Sequence, residues 1–468
     1  MSKWKSATLG DISSVITGPF GSQLHQSDYT DKGIASIMPQ NIGERTVNLN
    51  EISHISKSDA TRLKRFIVYK DDIVYSRRGD VEKHAFITAE LSGALCGTGC
   101  LRVRFNSNCI YPEFISLYLD RPESKTWIRQ HAVGSSMPNL NSGILADVPV
   151  KYPDYEEQVL IAKCLCSIEQ KIALNKRINA ELEALAKTIY DYWFVQFDFP
   201  DENGKPYRTS GGAMEYNDQL KRKIPKGWKV GNLYAIADYI NGLACQNFRP
   251  ANNEAALPVV KIREMHEGIS LDTECVSANI PKNKQINDGD ILFSWSATLE
   301  VMYWIGGCAG LNQHIFKVVP KAAYPKEYVF HQLSEYVVNF VKMAEARKTT
   351  MGHITSDHIE QSRIVLPHKR ILECFSTTAS PIHQQIVNGM IENLELTRLR
   401  DWLLPMLMNG QATVADEQPM ETPQNVVEMP GNDKRFDLWL QNQGIAARGD
   451  LDKKTLREIF DAMDDDDK

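Results

Sequence analysis

Apolar residues recur at steps of four and three through two long stretches of the chain. This spacing is the a/d seam of a coiled coil, and it predicts two long helices, over residues 153–199 and 368–410. Asn175 and Asn179 are polar seam positions, which cost stability and can fix the register against a partner helix. The second seam is weaker because Gly389 lies in it, and Pro405 is expected to end or kink that helix. The first seam consists of Ile161, Leu165, Ile168, Ile172, Leu182 and Ile189, and the second of Phe375, Ile382, Ile386, Leu396 and Leu403.

A different pattern precedes each helix. Short β-branched or aromatic runs, bounded by turn residues, predict strands within residues 1–152 and again within 227–367. Two short helices are expected near Glu113 to Leu119 and Ser124 to His131. Each stretch is therefore predicted to be a mixed domain of strands and helices. The clearest strand runs are Ile73-Val-Tyr, Leu101-Arg-Val-Arg-Phe, Leu257-Pro-Val-Val-Lys-Ile and Ile291-Leu-Phe-Ser-Trp.

The second half of the chain repeats the first. Trp4 to Leu9 corresponds to Trp228 to Leu233, and Asp72-Ile-Val-Tyr-Ser corresponds to Asp290-Ile-Leu-Phe-Ser. This period is much longer than the roughly 20–50 residues of a solenoid repeat, so it indicates a duplicated module. Two long helices with matched seams on one chain are expected to pack as an antiparallel coiled coil. The predicted fold class is α+β, with two mixed α/β domains, the paired helices and a pseudo-two-fold relation.

These patterns also predict the order of the parts along the chain. The C-terminal extension is low in complexity from Ala412 to Asp433 and is expected to be partly disordered. Its end, Asp464 to Lys468, can be a solvated tail or an added protease recognition sequence. The predicted parts are mixed domain 1 (1–152), helix 1 (153–199), a linker (200–226), mixed domain 2 (227–367), helix 2 (368–410) and the acidic extension (411–468).

The composition neither requires nor excludes a nucleic-acid partner. The net charge is −6, from 53 basic and 59 acidic residues, so the overall basic excess typical of DNA-binding proteins is missing. This argues only weakly against DNA binding, because acidic residues can collect elsewhere in the chain. The nine scattered cysteines lack metal-ligand spacing, so no metal site is predicted and reduced thiols in a cytosol are expected. Without an apolar leader or a run of about 18 apolar residues, a soluble intracellular protein is expected.

Several enzyme motifs are missing from the sequence. It holds no Gly-x-x-x-x-Gly-Lys-[Ser/Thr] phosphate loop and no Gly-x-Gly-x-x-Gly dinucleotide motif. The [Asp/Asn]-Pro-Pro-[Tyr/Phe] motif of amino-methyltransferases is missing as well. A nuclease-like pattern can be formed from Pro153-Asp154 and Glu169-Gln-Lys171, but its second half falls on the heptad helix rather than on a sheet. The chain alone is therefore expected to catalyse no reaction.

Two mixed domains, each followed by a long helix and lacking a catalytic motif, resemble the specificity subunit of type I restriction–modification systems. The resemblance covers residues 1–410. The second helix departs from the pattern, because Lys369-Arg-Ile-Leu-Glu replaces the usual Glu-Gln-x-x-Ile at its start. The residues that carry the resemblance are Trp4 to Ile12 with Gly18-Pro-Phe-Gly-Ser, Trp228 to Leu233, the two repeated strand motifs, Val148-Pro149 with Glu156-Glu-Gln158-Val-Leu-Ile-Ala, and Leu399 to Gly410.

The resemblance implies that each mixed domain is a target recognition domain for one half of a bipartite double-stranded DNA site. It implies that the helices set the gap between the halves and dock two methyltransferase subunits, which bring S-adenosylmethionine and methylate adenine. Two restriction subunits would bring ATP- and Mg²⁺-dependent translocation and cleavage. This chain would then hold no cofactor and would act in the prokaryotic cytosol. Two alternatives remain, a coiled-coil adaptor without DNA and a fused restriction–methylation enzyme, and the missing motifs argue against the second.

Candidate DNA contacts follow from the chemistry of the grooves, since Arg, Lys, Asn and Gln read base edges and basic groups bind phosphates. Exposed Arg and Lys are usually solvated, however, and a Trp in a strand is more often part of the core. In the first domain the candidates are Gln40, Asn41, Arg77, Arg78, His84, Arg129, Ser135, Ser136 and Asn139. In the second they are Gln246, Asn247, Arg249, Lys261, Arg263, Trp295, Asn312, Gln313, His314, Arg347 and Lys348.

Overall fold

The computed structural model describes residues 4–134, 138–296, 298–346, 354 and 356–414. These residues form two compact units, one of residues 4–172 with 396–414 and the other of residues 173–395. Each unit holds one mixed domain and part of each long helix. Most of the acidic extension, from residue 415 onward, lies outside the described residues.

The first unit is built on two four-stranded sheets and a two-stranded ladder. One sheet is antiparallel with the order β2-β9-β6-β7, the other has the order β3-β5-β4-β8 with β4 and β8 parallel, and β1 pairs with β10. The strands are β1 (Lys5–Thr8), β2 (Ser13–Thr17), β3 (Tyr29–Thr30), β4 (Ile34–Ile37), β5 (Ser53–Ile55), β6 (Ile73–Ser76), β7 (His84–Phe86), β8 (Leu95–Cys96), β9 (Cys100–Phe105) and β10 (Pro149–Tyr152). The helices are α1 (Leu9–Ile12), α2 (Lys57–Arg62), α3 (Pro112–Asp120), α4 (Pro122–His131), α5 (Ser142–Ala146) and the long α6 (Tyr155–Tyr190).

The second unit repeats this plan and adds a hairpin in front of it. Its sheets have the orders β14-β21-β18-β19 and β16-β15-β20-β17, and β13 pairs with β22. The strands are β11 (Met214–Asn217), β12 (Arg222–Pro225), β13 (Lys229–Gly231), β14 (Ala237–Asn241), β15 (Ala256–Val260), β16 (Cys275–Ser277), β17 (Gln285–Ile286), β18 (Ile291–Ser294), β19 (Glu300–Tyr303), β20 (Ala309–Leu311), β21 (Ile315–Pro320) and β22 (Ile364–Leu366). The helices are α7 (Leu233–Ile236), α8 (Ile262–Glu267), α9 (Lys326–Ala346), α10 (Ser356–Glu360) and the long α11 (Lys369–Met408).

The register of the strands confirms the duplication residue by residue. Ile73 in β6 lies opposite Val103 in β9, and Ile291 in β18 lies opposite Val318 in β21. The parallel pair β4–β8 has its counterpart in β15–β20. Because Lys5 pairs with Tyr152 and Lys229 with Leu366, the strands that lead into α6 and α11 are also equivalent.

The repeated Asp-Ile strand motif has a structural role in both units. Asp72 accepts from the backbone N–H of Tyr69 at 2.8 Å and forms an ion pair with Arg104. Asp290 closes the equivalent turn and forms an ion pair with Lys317 at 2.7 Å. The aspartate therefore holds the turn in front of a fully buried strand against a basic residue of the neighbouring strand.

One helix of the second unit replaces two helices of the first. Arg121 is extended, with φ −62° and ψ 149°, because it precedes Pro122, which disfavours a helical conformation at that position. This break separates α3 from α4. Between Lys326 and Ala346 no proline is present, and α9 runs for 21 residues.

Both predicted long helices are present, with different ends. α6 begins at Tyr155, ends at Tyr190 and continues as a π-helical turn over Asp191–Val195, short of the predicted residue 199. α11 runs from Lys369 to Met408 and includes Pro405. Of the two predicted effects of Pro405, a helix end or a kink, the helix end is therefore wrong. A proline within the last turn removes only one intrahelical hydrogen bond, which a long helix tolerates there.

The two long helices are antiparallel within each unit. In the second unit Asn175 donates to Glu392 at 2.7 Å, and Asn179 donates to the carbonyl of Ile386 at 3.1 Å. The residue numbers of the partners on α11 fall as those on α6 rise, so the two helices run in opposite directions. In the first unit Ile161 and Leu165 share a core with Leu403 and Leu407. Of the predicted seam, Ile161, Leu165, Ile168, Ile172, Phe375, Ile382 and Ile386 are buried, and Leu182, Ile189, Leu396 and Leu403 are partly buried.

The segment predicted as a linker contains ordered structure. Residues 200–226 include the antiparallel hairpin of β11 and β12. Ile224 is 1% exposed and shares a core with Phe197, Phe199 and Trp228. The hairpin is therefore an integral part of the second unit, because its apolar face completes the core below the end of α6.

The start of each long helix is tied to its own mixed domain. Gln158 is fully buried, accepts from the backbone N–H of Tyr111 at 2.9 Å and donates to the carbonyls of Cys109 and Pro153 at 3.0 Å. Leu372 occupies the equivalent position in α11 and is 2% exposed. The sequence Lys369-Arg-Ile-Leu-Glu at the start of α11, which departs from the pattern of the resembled family, thus has an apolar side chain where α6 has the hydrogen-bonded amide of Gln158.

Candidate nucleic-acid interface

In the first unit, one end of the β2-β9-β6-β7 sheet brings several predicted residues together. Arg77 follows β6, and its backbone N–H donates to the carbonyl of Gly99 at 2.8 Å. The carbonyl of Arg77 accepts from the N–H of Leu140 at 2.9 Å, and Arg78 forms an isolated β-bridge with Asn139. We call Arg77, Arg78 and Asn139 the first edge cluster.

The side chains of the first edge cluster leave polar atoms unpaired. The guanidinium of Arg77 lies 5.7 Å from the ring centroid of Phe20, which is 55% exposed. Nε of Arg77, Oδ1 of Asn139 and Oγ1 of Thr98 are buried atoms without a hydrogen-bond partner among the described residues. Buried polar atoms without partners are rare and costly.

Two backbone segments approach each other closely at this edge. The N–H of Gly18 donates to the carbonyl of Cys100 at 2.9 Å, and a Cβ added at Gly18 would lie 2.3 Å from the carbonyl oxygen of Gly97. Only glycine fits there, and the Gly18-Pro-Phe-Gly turn consequently carries Phe20 beside Arg77. Gly18 therefore serves close packing of the backbone.

The second unit has the same edge with different side chains. Trp295 follows β18 and its N–H donates to the carbonyl of His314 at 3.4 Å, as Arg77 does to Gly99. Gly242 takes the place of Gly18, since a Cβ there would lie 2.0 Å from the carbonyl oxygen of Asn312. The Trp295 and His314 rings lie 5.6 Å apart, and His314 is exposed. We call Trp295, Gln313 and His314 the second edge cluster.

Three predicted residues support the folded domains instead of facing a ligand. His84 is 1% exposed, lies 3.0 Å from the hydroxyl of Ser116 through Nε2 and stacks on Tyr75. Burial lowers the pKa of His84 to about 3, so it is neutral in the core. Asn41 is 3% exposed and holds its loop by accepting from Met38 N–H and donating to the Asn48 carbonyl. Asn312 is 9% exposed, and its Oδ1 accepts from the N–H of His314 at 3.2 Å. His84, Asn41 and Asn312 therefore belong to the interior and not to the candidate interface.

The remaining predicted residues are ion-paired, exposed or outside the described residues. Lys261 pairs with Glu274 at 2.8 Å, and Arg263 pairs with both Glu264 and Asp272 at 2.8 Å, so their charges are already matched. Arg129 is exposed and pairs with Glu82 at 3.2 Å. Gln40, Gln246, Asn247 and Arg249 are exposed. Ser135, Ser136, Arg347 and Lys348 lie outside the described residues.

Some residues of the two edges were not among the sequence predictions. Phe20 and Thr98 join the first edge, and Asn241 accepts from the indole N–H of Trp295 at 3.4 Å at the second. Phe20 lies in Gly18-Pro-Phe-Gly and Thr98 in Gly97-Thr-Gly, and such glycine-flanked positions are a sequence signal for a tight turn. Asn241 precedes Gly242, and only the internal alignment of the two repeats identifies that position.

Two kinds of feature are missing from the described ranges. No helix there is long and apolar enough to cross a membrane. The same part of the chain holds no group of three His, Cys, Asp or Glu side chains that could bind a metal ion.

Comparison with known proteins agrees with this architecture. Residues 1–184 match the family described as Type I restriction modification DNA specificity domain. The chain is 23% identical over 469 aligned residues to the Type I restriction enzyme HindI specificity subunit of Haemophilus influenzae, covering 88% of this chain and 100% of that protein. It is 24% identical over 317 residues to the MjaIX specificity subunit of Methanocaldococcus jannaschii, covering 66% and 70%. The S subunit structure from M. genitalium superposes with a TM-score of 0.57 at 13% identity, over 89% of this chain and 97% of that chain, and shows a shared fold.

The relatives found in these comparisons are DNA specificity subunits of restriction enzymes. In sequence and in fold the chain is similar to the specificity subunits of type I restriction–modification systems. The adaptor without DNA finds no support among these relatives.

Proposed function

We propose that this chain recognises a bipartite double-stranded DNA site, with one half read by each mixed domain. The observation that carries the proposal is the pair of edge clusters. Both occur at the same place in the duplicated fold, after β6 and β18, yet they present different side chains. The same scaffold with different contact residues is what reading two different half-sites requires.

We further propose that the chain docks two methyltransferase subunits, and through them two restriction subunits. The methyltransferases would bind S-adenosylmethionine and the restriction subunits ATP and Mg²⁺. This assignment is supported by the absence of the corresponding motifs from the sequence and by the names of the relatives, which are restriction enzyme subunits.

Mapping of adenine methylation tests the proposal directly. The full chain is co-expressed with the methyltransferase of its own system, and methylated adenines are located in the host DNA. We expect one new split motif, with two short defined halves around a fixed unspecified gap. A stable complex that leaves the DNA unmethylated, and that binds no duplex DNA, would refute the proposal.

A pair of arginine variants links the edge clusters to the motif. Arg77→Ala removes the half-buried guanidinium, so we expect methylation to lose selectivity at one position of one half-site. A bidentate base contact is worth about 1–3 kcal/mol of discrimination, or roughly 5- to 150-fold. Arg129→Ala is the matched control, because Arg129 is exposed and its charge is already paired with Glu82. Unchanged selectivity in Arg77→Ala would remove the first edge cluster from the interface.

A further inference from the structure

Each mixed domain makes a buried polar contact with its own long helix, at equivalent helix positions. Glu169 on α6 and His383 on α11 lie equally far along the chain from Tyr152 and Leu366, the equivalent last residues of β10 and β22. Glu169 forms an ion pair with Arg45, and His383 lies 2.9 Å from the hydroxyl of Tyr303. The side chains at the two positions differ, a carboxylate in one unit and an imidazole in the other, but each joins the long helix to the mixed domain of its own unit.

The first junction consists of Arg45, Ser116 and Glu169. Arg45 lies on the loop between β4 and β5, and its side chain is only 8% exposed. Besides the ion pair with Glu169, its Nε donates to the Ser116 hydroxyl at 3.1 Å on α3. Arg45 has φ 56°, in the left-handed region that non-glycine residues rarely adopt, so the loop holds a strained residue at this point.

The second junction consists of Tyr303, His331 and His383. Nε2 of His383 lies 3.0 Å from Nε2 of His331 on α9, within hydrogen-bonding distance. Burial lowers the pKa of His331 to about 3 and that of His383 to about 4, so both rings are neutral near pH 7. His383 is 5% exposed and His331 is 7% exposed. Tyr303 occupies the strand position that Phe86 has in the first unit, since Tyr303 pairs with Ile291 as Phe86 pairs with Ile73. Phe86 has no hydroxyl, so the first unit lacks this contact at the equivalent position.

We propose that these two junctions hold each recognition domain at a fixed angle on its helix and thereby restrict the gap that the protein accepts. The inference rests on the proposed function. One extra base pair in the gap moves a half-site by about 3.4 Å and turns it by roughly a tenth of a turn. A domain held only by apolar contacts can rock to follow such a shift, because these contacts are not directional. Buried hydrogen bonds to fixed partners resist it, because a small rotation leaves their polar atoms unpaired.

The junctions are positioning residues, so their loss should change the choice of gap and leave the half-sites unchanged. Glu169→Gln keeps the shape of the side chain and removes its charge. Tyr303→Phe removes only the hydroxyl and restores the residue found in the first unit. Glu181→Gln is the matched control, because it makes the same chemical change at an exposed position of α6.

The experiment uses the full chain with its methyltransferase and plasmids that carry the mapped half-sites at the native gap and at gaps one base pair shorter and longer. The measured quantity is methylation at each altered gap divided by methylation at the native gap. We expect this ratio to rise by roughly tenfold or more in Glu169→Gln and in Tyr303→Phe, because that is the factor that corresponds to the loss of one buried hydrogen bond. The half-site sequences and the Glu181→Gln ratio should stay as in the wild type.

Two results would overturn the proposal. One is an unchanged ratio between gaps in both variants at normal total methylation. The other is an equal fall of methylation at all gaps together with a lower Tm, because that assigns the junctions to stability alone. A wild-type protein that gives no split motif would instead refute the proposed function, so the two failures are distinguishable.

Discussion

At the residue scale, an asparagine side chain on one long helix packs against a glycine on the other. Asn179 on α6 is 8% exposed and lies against Gly389 on α11, where a Cβ would lie 2.6 Å from its Oδ1 and 3.1 Å from its Nδ2. The same amide donates to the carbonyl of Ile386. Both residues were read from the sequence as weak points of the seam, and the structure makes them a matched pair that sets the register.

We therefore expect Gly389→Ala to destabilise the protein, although alanine favours helices. In an isolated helix the change would gain about 0.5–1 kcal/mol. Here the new methyl group displaces the Asn179 amide from Ile386, and an unsatisfied buried amide costs about 1–3 kcal/mol. The expected net loss is about 1–2 kcal/mol in the free energy of unfolding, measured as a lower urea midpoint at an unchanged m-value.

The double variant Asn179→Ala/Gly389→Ala provides the control. Without the amide, the methyl group has room and only the helix preference remains, so Gly389→Ala should cost less in this background or become stabilising. Simple additivity of the two changes would contradict the contact described between them.

His84, His331 and His383, three of the buried histidines, make stability depend on pH. Burial is the main cause that lowers the pKa of His84 and His331 to about 3 and that of His383 to about 4. Arg45 and Lys125 act on His84, Lys187 and His383 on His331, and Lys326 on His383 in the same direction. In the unfolded chain a histidine has a pKa of about 6.5. The unfolded state thus binds more protons below that pH, so the stabilisation present above pH 6.5 is lost as the pH falls.

We expect the free energy of unfolding to decrease between pH 7.5 and 5.5, by on the order of 1 kcal/mol per buried histidine per pH unit below 6.5. Urea unfolding at both pH values measures it. His383→Gln should lower stability at pH 7.5 and reduce the pH dependence, because it removes one of the titrating rings. A wild-type protein equally stable at both pH values would show that these rings are accessible to protons when folded.

At the element scale, the sequence predicted the long helices better than their ends. The side chains of the heptad seam all face one partner helix, so their spacing alone identifies residues such as Ile161 and Ile386 as buried seam positions. The end of α6 depends instead on Tyr190 and Phe194 entering the core of the second domain, which spacing does not show. The hairpin around Ile224 was missed for a related reason, because Pro- and Gly-rich segments read as linkers.

The candidate interface was predicted only in part, because pattern and composition do not reveal burial. His84 and Asn41 have the side chains of DNA-contacting residues, yet loop hydrogen bonds and Ser116 hold them inside. Arg77 and Trp295 each follow a repeated strand motif, and they lie at equivalent places after β6 and β18. The internal repeat thus identifies equivalent positions in the fold, which residue type alone does not.

The antiparallel helix pair predicts how an insertion should act. Four extra residues near Asn175 in α6 and four near Gly389 in α11 lengthen the pair by about 6 Å and rotate it by roughly 40°, at about 1.5 Å and 100° per residue. One or two base pairs of DNA advance by about 3.4–6.8 Å. We expect the methylated motif to keep both half-sites and to gain one or two base pairs in its gap.

An insertion in α6 alone serves as the control. It breaks the match between the seams, so it should lower stability without producing a new defined gap. If the double insertion leaves the gap at its native length, the helices do not set the spacing.

At the scale of the whole molecule, a chain with a net charge of −6 must bind a polyanion through local charge. Many cations are already neutralised within the fold, as Lys261 and Arg263 show. Arg78 differs, because it is exposed beside the half-buried Arg77 and no ion pair with it is found in the described part of the chain. We therefore propose a different task for each neighbour, a phosphate contact for Arg78 and a base contact for Arg77.

Salt dependence separates these two tasks. Phosphate contacts release counterions, so binding of the complex to its duplex should weaken with a log–log slope of roughly −4 or steeper if each half-site uses at least two phosphates. Arg78→Gln should reduce the steepness by about 1 and weaken all sequences alike, whereas Arg77→Gln should change the preferred sequence more than the slope. Fluorescence anisotropy from 50 to 200 mM salt, with the mapped site and a scrambled duplex, measures both quantities. Identical slopes for the wild type and Arg78→Gln would place Arg78 away from the DNA backbone. A slope near zero for every variant would mean that this acidic chain does not bind DNA through its phosphates.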